Sequence, residues 1–129
     1  MSSNNNLTAL TAFNNIIFRF VDDLIETFPE ENDFKVYKRT FTILKSANAK
    51  KMCTMFKNYS YVYREKILRK DESFFIENDY TEIKQASTME SVGGIIEKLK
   101  EHWKTLSDEN KGKIWQYLAT MIQLSDMVN

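Results

Sequence analysis

The sequence predicts an all-α protein, a single domain over residues 1–129 that folds as an irregular bundle of about five or six helices. Its 129 residues suffice for one domain, and a chain of this size buries about two thirds of the surface that its unfolded form exposes. It has only three glycines and one proline, whereas sheet proteins need many tight turns built from such residues. Apolar residues recur at three- and four-residue intervals over long stretches, which indicates helices that bury one face.

The first predicted helix runs from about Thr8 to Phe28. Its apolar stripe occupies positions 10, 13, 16, 17, 20, 21, 24, 25 and 28. Pro29 is expected to end the helix, because the residue before a proline disfavours helical dihedral angles. Residues 1–6 are polar, precede the stripe and are expected to be disordered.

The second predicted helix runs from about Asn32 to Ser46, with apolar residues at positions 34, 37, 41 and 44. A third helix follows, and Asn48 can cap it because a short side-chain oxygen accepts a hydrogen bond from a free amide of the first turn. Residues 58–63 alternate as a strand would, but helical spacing resumes by Ile67, so a continuous or kinked helix is predicted there. The inner face of this helix is expected to contain Met52, Met55, Phe56 and Tyr59.

An acidic connection that holds a short helical turn is predicted over residues 71–87. Its main apolar cluster, whose aromatic rings are expected to pin the segment to the core, is Phe74, Phe75 and Ile76. A further helix is expected from about Thr88 to Leu106. Gly93 and Gly94 weaken this helix and mark either a kink or the close approach of another helix.

The last predicted helix begins after Ser107 and runs to about Val128. Ser107 suits the N-cap position, and the two acidic residues that follow it place negative charge where the helix dipole favours it. Trp115 lies on the apolar stripe and is expected to pack in the core against the helix that carries Trp103. The alternative is that Trp115 faces a partner, since Trp, Tyr and Met are enriched at protein interfaces.

The cysteine content and the chain's hydropathy indicate an intracellular protein. Cys53 is the only cysteine, so the chain cannot form an internal disulfide, and a reducing compartment is expected. The first ten residues lack the basic residues and the cleavage site of a secretory signal. No run of about 18 apolar residues exists, so no membrane span is expected.

No residue pattern announces catalysis or metal binding. Zinc sites need several ligands in close pairs, and this chain has one cysteine and one histidine, His102. The segment Asp71–Glu82 has acids at its first and twelfth positions, as a calcium loop does, but it has Ile76 where that loop needs glycine. Phosphate-binding glycine loops are absent as well. We therefore expect no catalytic residue, no metal and no cofactor, and we predict that the protein is not an enzyme.

The strongest signal outside the predicted core is the separation of charges along the chain. The formal net charge is zero, yet residues 22–33 carry six acids and no base, and residues 35–70 carry eleven bases and one acid. Residues 71–82 then carry five acids and no base. A basic block of this kind can bind an acidic protein surface, can bind nucleic acid, or can be neutralised by acidic blocks that fold back beside it.

We predict a non-enzymatic structural or protein-interaction module that binds a protein partner with an acidic surface, and an oligomer also fits this role. The residues expected to contact the partner are Lys35, Lys38, Arg39, Lys50, Lys51, Lys57, Arg64, Arg69 and Lys70. The alternative is an accessory nucleic-acid-binding protein that uses the same basic face, with bases stacking on Tyr59, Tyr61 or Tyr63. A pI near 6.6 weakens this alternative, because dedicated nucleic-acid binders usually have a basic balance.

Four short motifs follow one another along the chain: Phe28-Pro29, KDESFF at 70–75, LKEHWKTL at 99–106 and KIWQYL at 113–118. In this order, with the basic helices between the first two, they resemble a group of short, all-helical, mostly uncharacterised proteins of large nucleocytoplasmic DNA viruses. The resemblance implies a virion-associated or assembly role, with capsid proteins among the partners. It also implies a location in the cytoplasm or nucleus of the host cell and in the virion. It implies no active-site residue.

Overall fold

The computed structural model describes residues 2–76 and 92–128, with side chains described from Asn6 onward. These ranges contain six α-helices and no strand, which confirms the predicted all-α class. The helices are α1 (Ser2–Thr27), α2 (Asn32–Ala47), α3 (Lys51–Leu68), α4 (Ser73–Ile76), α5 (Val92–His102) and α6 (Asp108–Asp126). A 3₁₀ turn, Trp103–Thr105, connects α5 to α6.

The helices pack around one hydrophobic core. Helix α1 packs along α6, α3 packs on both α6 and α5, and α2 packs on α1 and α3. The short α4 lies against α3. Fully buried aromatic residues dominate the space between them: Phe13, Phe20, Phe34, Phe41, Phe56, Phe74 and Trp103. The apolar stripes read from the sequence therefore meet one another inside the molecule.

Helix α1 is longer than its apolar stripe. It begins at Ser2, whereas the stripe predicted a start near Thr8. It ends at Thr27, just before Phe28 and Pro29, as predicted. The disorder predicted for residues 1–6 stays a prediction, since the end of a helix can fray in solution.

Asn48 lies in the turn between α2 and α3 and not at the N-cap position predicted for it. Its Oδ1 accepts a hydrogen bond from the backbone N–H of Lys50 at 3.0 Å, and its own N–H donates to the carbonyl oxygen of Leu44 at 2.8 Å. Lys50 is the residue that caps α3, and it makes no capping hydrogen bond with its side chain. Asn48 thus ends α2 and shapes the turn before α3.

Helix α3 runs without interruption through residues 58–63, which confirms the helix predicted for that stretch. It ends in a Schellman motif, in which Lys70 donates to the carbonyl of Ile67 and Asp71 donates to that of Lys66. Lys70 adopts φ 56°, the left-handed conformation that glycine usually takes at this position.

Helix α4 fixes the predicted acidic connection to the core through its two phenylalanines. Phe75 stacks on Trp103 with ring centroids 3.9 Å apart, and Trp115 meets both rings edge-on. Ile76 is exposed, so it does not join the predicted cluster. Trp115 is buried, which confirms its expected core position beside Trp103.

The last two helices follow the predicted order with one change of boundary. Helix α5 becomes a 3₁₀ turn after His102, so the regular helix ends before Leu106, while its predicted start at Thr88 lies outside the described residues. Gly93 and Gly94 are buried within it. Ser107 is the N-cap of α6, since its Oγ accepts the N–H of Asn110 at 3.2 Å, which confirms the prediction.

Candidate functional site

The nine cationic residues predicted to bind a partner lie on α2, on α3 and at the two ends of α3. Eight of these side chains are exposed, and the ninth, Lys57, is half-buried. Helix α3 has 18 residues and is therefore about 27 Å long, so the cations at its two ends are far apart. The basic block is thus an extended surface and not a compact pocket.

Three of the nine cations have partners within the protein. Lys38 pairs with Asp22 at 2.7 Å, and Arg64 holds Asp126 through two hydrogen bonds of 2.9 and 2.6 Å. The same hydrogen bonds raise the pKa of Arg64 and lower that of Asp126. Lys57 donates to the carbonyl oxygen of Val128 at 2.6 Å. Folding back of acidic groups therefore neutralises part of the basic block.

The other six cations are exposed and unpaired as far as the described residues show. Within the part of the chain that the structure describes, no ion pair involves Lys35, Arg39, Lys50, Lys51, Arg69 or Lys70. Lys50 and Lys51 stand at the N-terminus of α3, where the helix dipole disfavours positive charge and no acidic residue offsets it. We define these six residues as the cationic surface.

The three tyrosines predicted to stack on bases do not form one array. Tyr61 is 83% exposed, but Tyr59 and Tyr63 are half-buried and face the interior. Tyr59 donates its hydroxyl hydrogen to Glu97 at 2.9 Å, and the ring of Tyr63 packs on Phe74 with centroids 5.1 Å apart. Tyr61 is therefore the one member of the three that is freely accessible.

Apolar side chains on the exposed side of α3 are a feature that sequence reasoning missed. Tyr61, Val62 and Leu68 are 83%, 62% and 43% exposed. Tyr61 and Leu68 are seven residues apart, so they lie on the same side of the helix, two turns from each other. In the sequence, these residues lie off the buried stripe of the helix, and this position could have indicated an exposed apolar patch. We call the exposed residues of this helix and of its C-cap the outward face of α3: Lys51, Thr54, Asn58, Tyr61, Val62, Arg64, Glu65, Leu68 and Arg69.

A network of charges joins the start of α2 to the end of α5. Lys98 pairs with Asp33 at 3.1 Å and with Glu31 at 3.3 Å, and Nε2 of His102 lies 2.9 Å from Glu31. The hydrogen bond with His102 is the main reason that the pKa of Glu31 is lowered. Partial burial opposes the charge of Lys98, but its hydrogen bonds to Asp33 and Glu31 outweigh that effect and raise its pKa. His102 is half-buried at this boundary.

A second ion pair is buried between α5 and α3. The side chains of Glu97 and Lys100 are 5% and 7% exposed, and their charged atoms are 3.2 Å apart. The ammonium group of Lys100 lies 4.5 Å from the ring centre of Phe74 and 5.3 Å from that of Tyr63. Oε2 of Glu97 is buried and accepts no hydrogen bond from any described residue.

The described residues contain no arrangement that matches a metal site. They include no group of three or more His, Cys, Asp or Glu side chains placed to hold a metal ion. Burial raises the pKa of Cys53, so its thiol stays protonated and fills core space. In the segment that resembles a calcium loop, Asp71 accepts the N–H of Ser73 at 3.0 Å, while residues 77–82 lie outside the described part.

One polar cavity of about 120 Å³ lies between α1 and α6. Its walls include Phe20, Asp23, Lys113 and Tyr117. Tyr117 donates a hydrogen bond to Asp23. Burial and this hydrogen bond raise the pKa of Tyr117 to about 12, so the phenol is not a base near neutral pH. The cavity therefore places a carboxylate, an amine and a protonated phenol beside one another.

Comparisons with known proteins returned no relative: no family model, no curated protein and no solved structure matches this chain. Among the described helices, none combines the length and the apolar character needed to cross a membrane.

Proposed function

We propose that this protein is a non-enzymatic structural or protein-interaction module whose cationic surface binds an acidic protein partner. The observation that carries the proposal is the set of six cations without an ion pair among the described residues. Four described acids, in contrast, pair with bases: Asp22, Glu31, Asp33 and Asp126. Unpaired charge of one sign on α2 and α3 is suited to an oppositely charged surface, which it can steer into contact.

To test this proposal, the full chain and two variants with equal charge changes are each used to capture partner proteins. Arg39→Glu/Arg69→Glu reverses two cations of the cationic surface, and Lys104→Glu/Lys113→Glu reverses two exposed lysines elsewhere. We expect the wild type and the second variant to retain the same proteins and the first variant to lose them. Equal retention, or equal loss, by the two variants would contradict the proposal. Circular dichroism checks that both variants stay folded.

A nucleic-acid-binding accessory protein is the second candidate, and the exposed ring of Tyr61 on the same helix favours it. Single strands bind through phosphate contacts with cations and through stacking of bases on aromatic rings. If this function is correct, the protein binds an oligothymidine, and the affinity falls as the salt concentration rises. The variant Tyr61→Ser should bind the oligothymidine more weakly than the wild type. Absence of binding at about 50 mM salt would exclude it, because phosphate contacts are strongest at low salt.

The order of motifs from Phe28 to Leu118 supports, as a proposal, an origin in a large DNA virus. In that setting the module acts in the host cell and in virion assembly, with capsid proteins as the acidic partners. Detection of the protein by mass spectrometry in purified virions is the expected result. Its presence in infected cells but never in virions would contradict the virion-associated role.

A further inference from the structure

We infer that the outward face of α3 binds an amphipathic helix of the acidic partner, with apolar contacts at Tyr61, Val62 and Leu68. This inference rests on the proposed function and adds the form of the partner to it. Large exposed apolar side chains are ordinary when they are scattered singly. Here three of the seven most exposed large apolar residues of the described chain belong to one 18-residue helix.

The arrangement of these side chains suits a helix as the docked element. Val62, Glu65 and Leu68 form a ridge at three-residue spacing, and Tyr61, Glu65 and Arg69 form a ridge at four-residue spacing that crosses it. Ridges of this spacing accept the side chains of a second helix between them. A partner helix that presents apolar residues at three- and four-residue intervals would cover all three apolar side chains at once.

The charges around the patch require an acidic partner. Lys50 and Lys51 lie at the beginning of α3, and Arg69 and Lys70 follow its end, whereas Glu65 is the only acid on the outward face. Acidic residues near both ends of the docked helix would meet these cations. A basic residue opposite Glu65 would complete the charge match.

A second copy of this chain is a poor occupant of the same face. In a two-fold symmetric pair, an antiparallel arrangement places Lys50 and Lys51 of one copy beside Arg69 and Lys70 of the other, and a parallel arrangement places like ends together. Both arrangements bring positive charges into contact, and like charges at an interface are unfavourable. The charge pattern therefore selects a different, acidic chain.

The test uses the full chain and two synthetic peptides of about 18 residues with the same composition of leucine and glutamate. One peptide places its leucines at helical spacing, and the other has them scrambled. Backbone amide signals in NMR spectra locate binding, and titration gives the affinity. We expect the amphipathic peptide to perturb the α3 signals and to bind at least about tenfold more tightly than the scrambled one. Tyr61→Ser/Leu68→Gln should remove that advantage, whereas Leu7→Ser, at an exposed apolar residue of α1, should preserve it.

Any of the following results would overturn the inference. Equal binding of both peptides, lost in Arg39→Glu/Arg69→Glu, overturns the apolar docking face but leaves the proposed function standing. Absence of binding by either peptide at about 50 mM salt overturns the inference, and the capture experiment then decides the proposed function separately. A dimer that Tyr61→Ser abolishes, or an oligothymidine that binds at α3 more tightly than the amphipathic peptide, overturns it in favour of a second copy or of nucleic acid.

Discussion

Lys100 and Glu97 form a buried ion pair in which burial of each charge is unfavourable unless the other charge is present. The two side chains lie three positions apart on α5, and both are almost fully buried. Their attraction and the rings of Tyr63 and Phe74 around the ammonium group offset the loss of hydration. A buried pair of this kind adds little net stability while it is intact, but each member depends on the other.

Replacement of Lys100 by methionine is expected to destabilise the protein by about 3–5 kcal/mol, because Glu97 would remain buried without its counter-charge. The matched variant Glu97→Gln/Lys100→Met keeps an acceptor for Tyr59 and removes both charges, so it should regain most of that loss. Urea denaturation of the two variants and the wild type measures the difference. If the double variant is no more stable than Lys100→Met, loss of the ion pair does not explain the destabilisation of the single variant.

Glu31 is expected to make the stability of the fold sensitive to acid. Its pKa in the folded protein is lowered from a reference of 4.5, first by the hydrogen bond with His102 and then by Lys98. A lowered pKa means that its contribution is present above about pH 4.5 and is lost as the pH falls through the folded value. Glu31→Gln should therefore be less stable than the wild type by about 1–2 kcal/mol at pH 6.

The same comparison at low pH isolates Glu31 from the other acids. Asp126 and Asp71 also have lowered pKa values, but they are unchanged in the variant. The gap in unfolding midpoint between the wild type and Glu31→Gln should therefore narrow as the pH is lowered from 6 to 3. A gap that stays constant over this range would show that the carboxylate charge of Glu31 is not the stabilising feature.

At the scale of elements, the four-residue α4 is held to the bundle by its aromatic side chains. Phe75 lies flat on Trp103 and meets Trp115 edge-on. Phe75→Ala is therefore expected to cost about 3–5 kcal/mol. Ile76→Ala, at the exposed neighbouring position, should change stability by no more than about 0.5 kcal/mol. Thermal or urea unfolding followed by tryptophan fluorescence measures both, and similar losses in the two variants would contradict this role of Phe75.

Helix α3 shows which features of an element are local and which depend on the rest of the molecule. Its continuity through residues 58–63 follows from spacing that the sequence already displays. The end of the helix could not be predicted in this way, because Lys70 adopts a left-handed conformation that is usually found at glycine. The partial burial of Tyr59 and Tyr63 likewise depends on contacts with α5 and α4, outside the helix itself.

At the scale of the whole molecule, the class of fold and the membership of the core could be predicted because helical periodicity records burial directly. The position of Trp115 beside Trp103 and the cap at Ser107 follow from that pattern. The charge network around Lys98 could not be predicted, because it joins α2 to α5 through contacts between residues distant in sequence. The candidate surface could be predicted only in part. The separation of charges along the sequence identified its cations. The ion pairs that Lys38 and Arg64 form with acidic residues, and the exposure of Leu68, could be seen only in the structure.

The central claim is that the cationic surface forms no ion pair with the described residues and is free to meet a partner. Measurement of the acetylation rate of each lysine in the folded chain, by mass spectrometry, tests this claim most directly. Lys35, Lys50, Lys51 and Lys70 should react as fast as the exposed control Lys104, whereas Lys100 should react far more slowly. Protection of the first four to the level of Lys100 would contradict the claim.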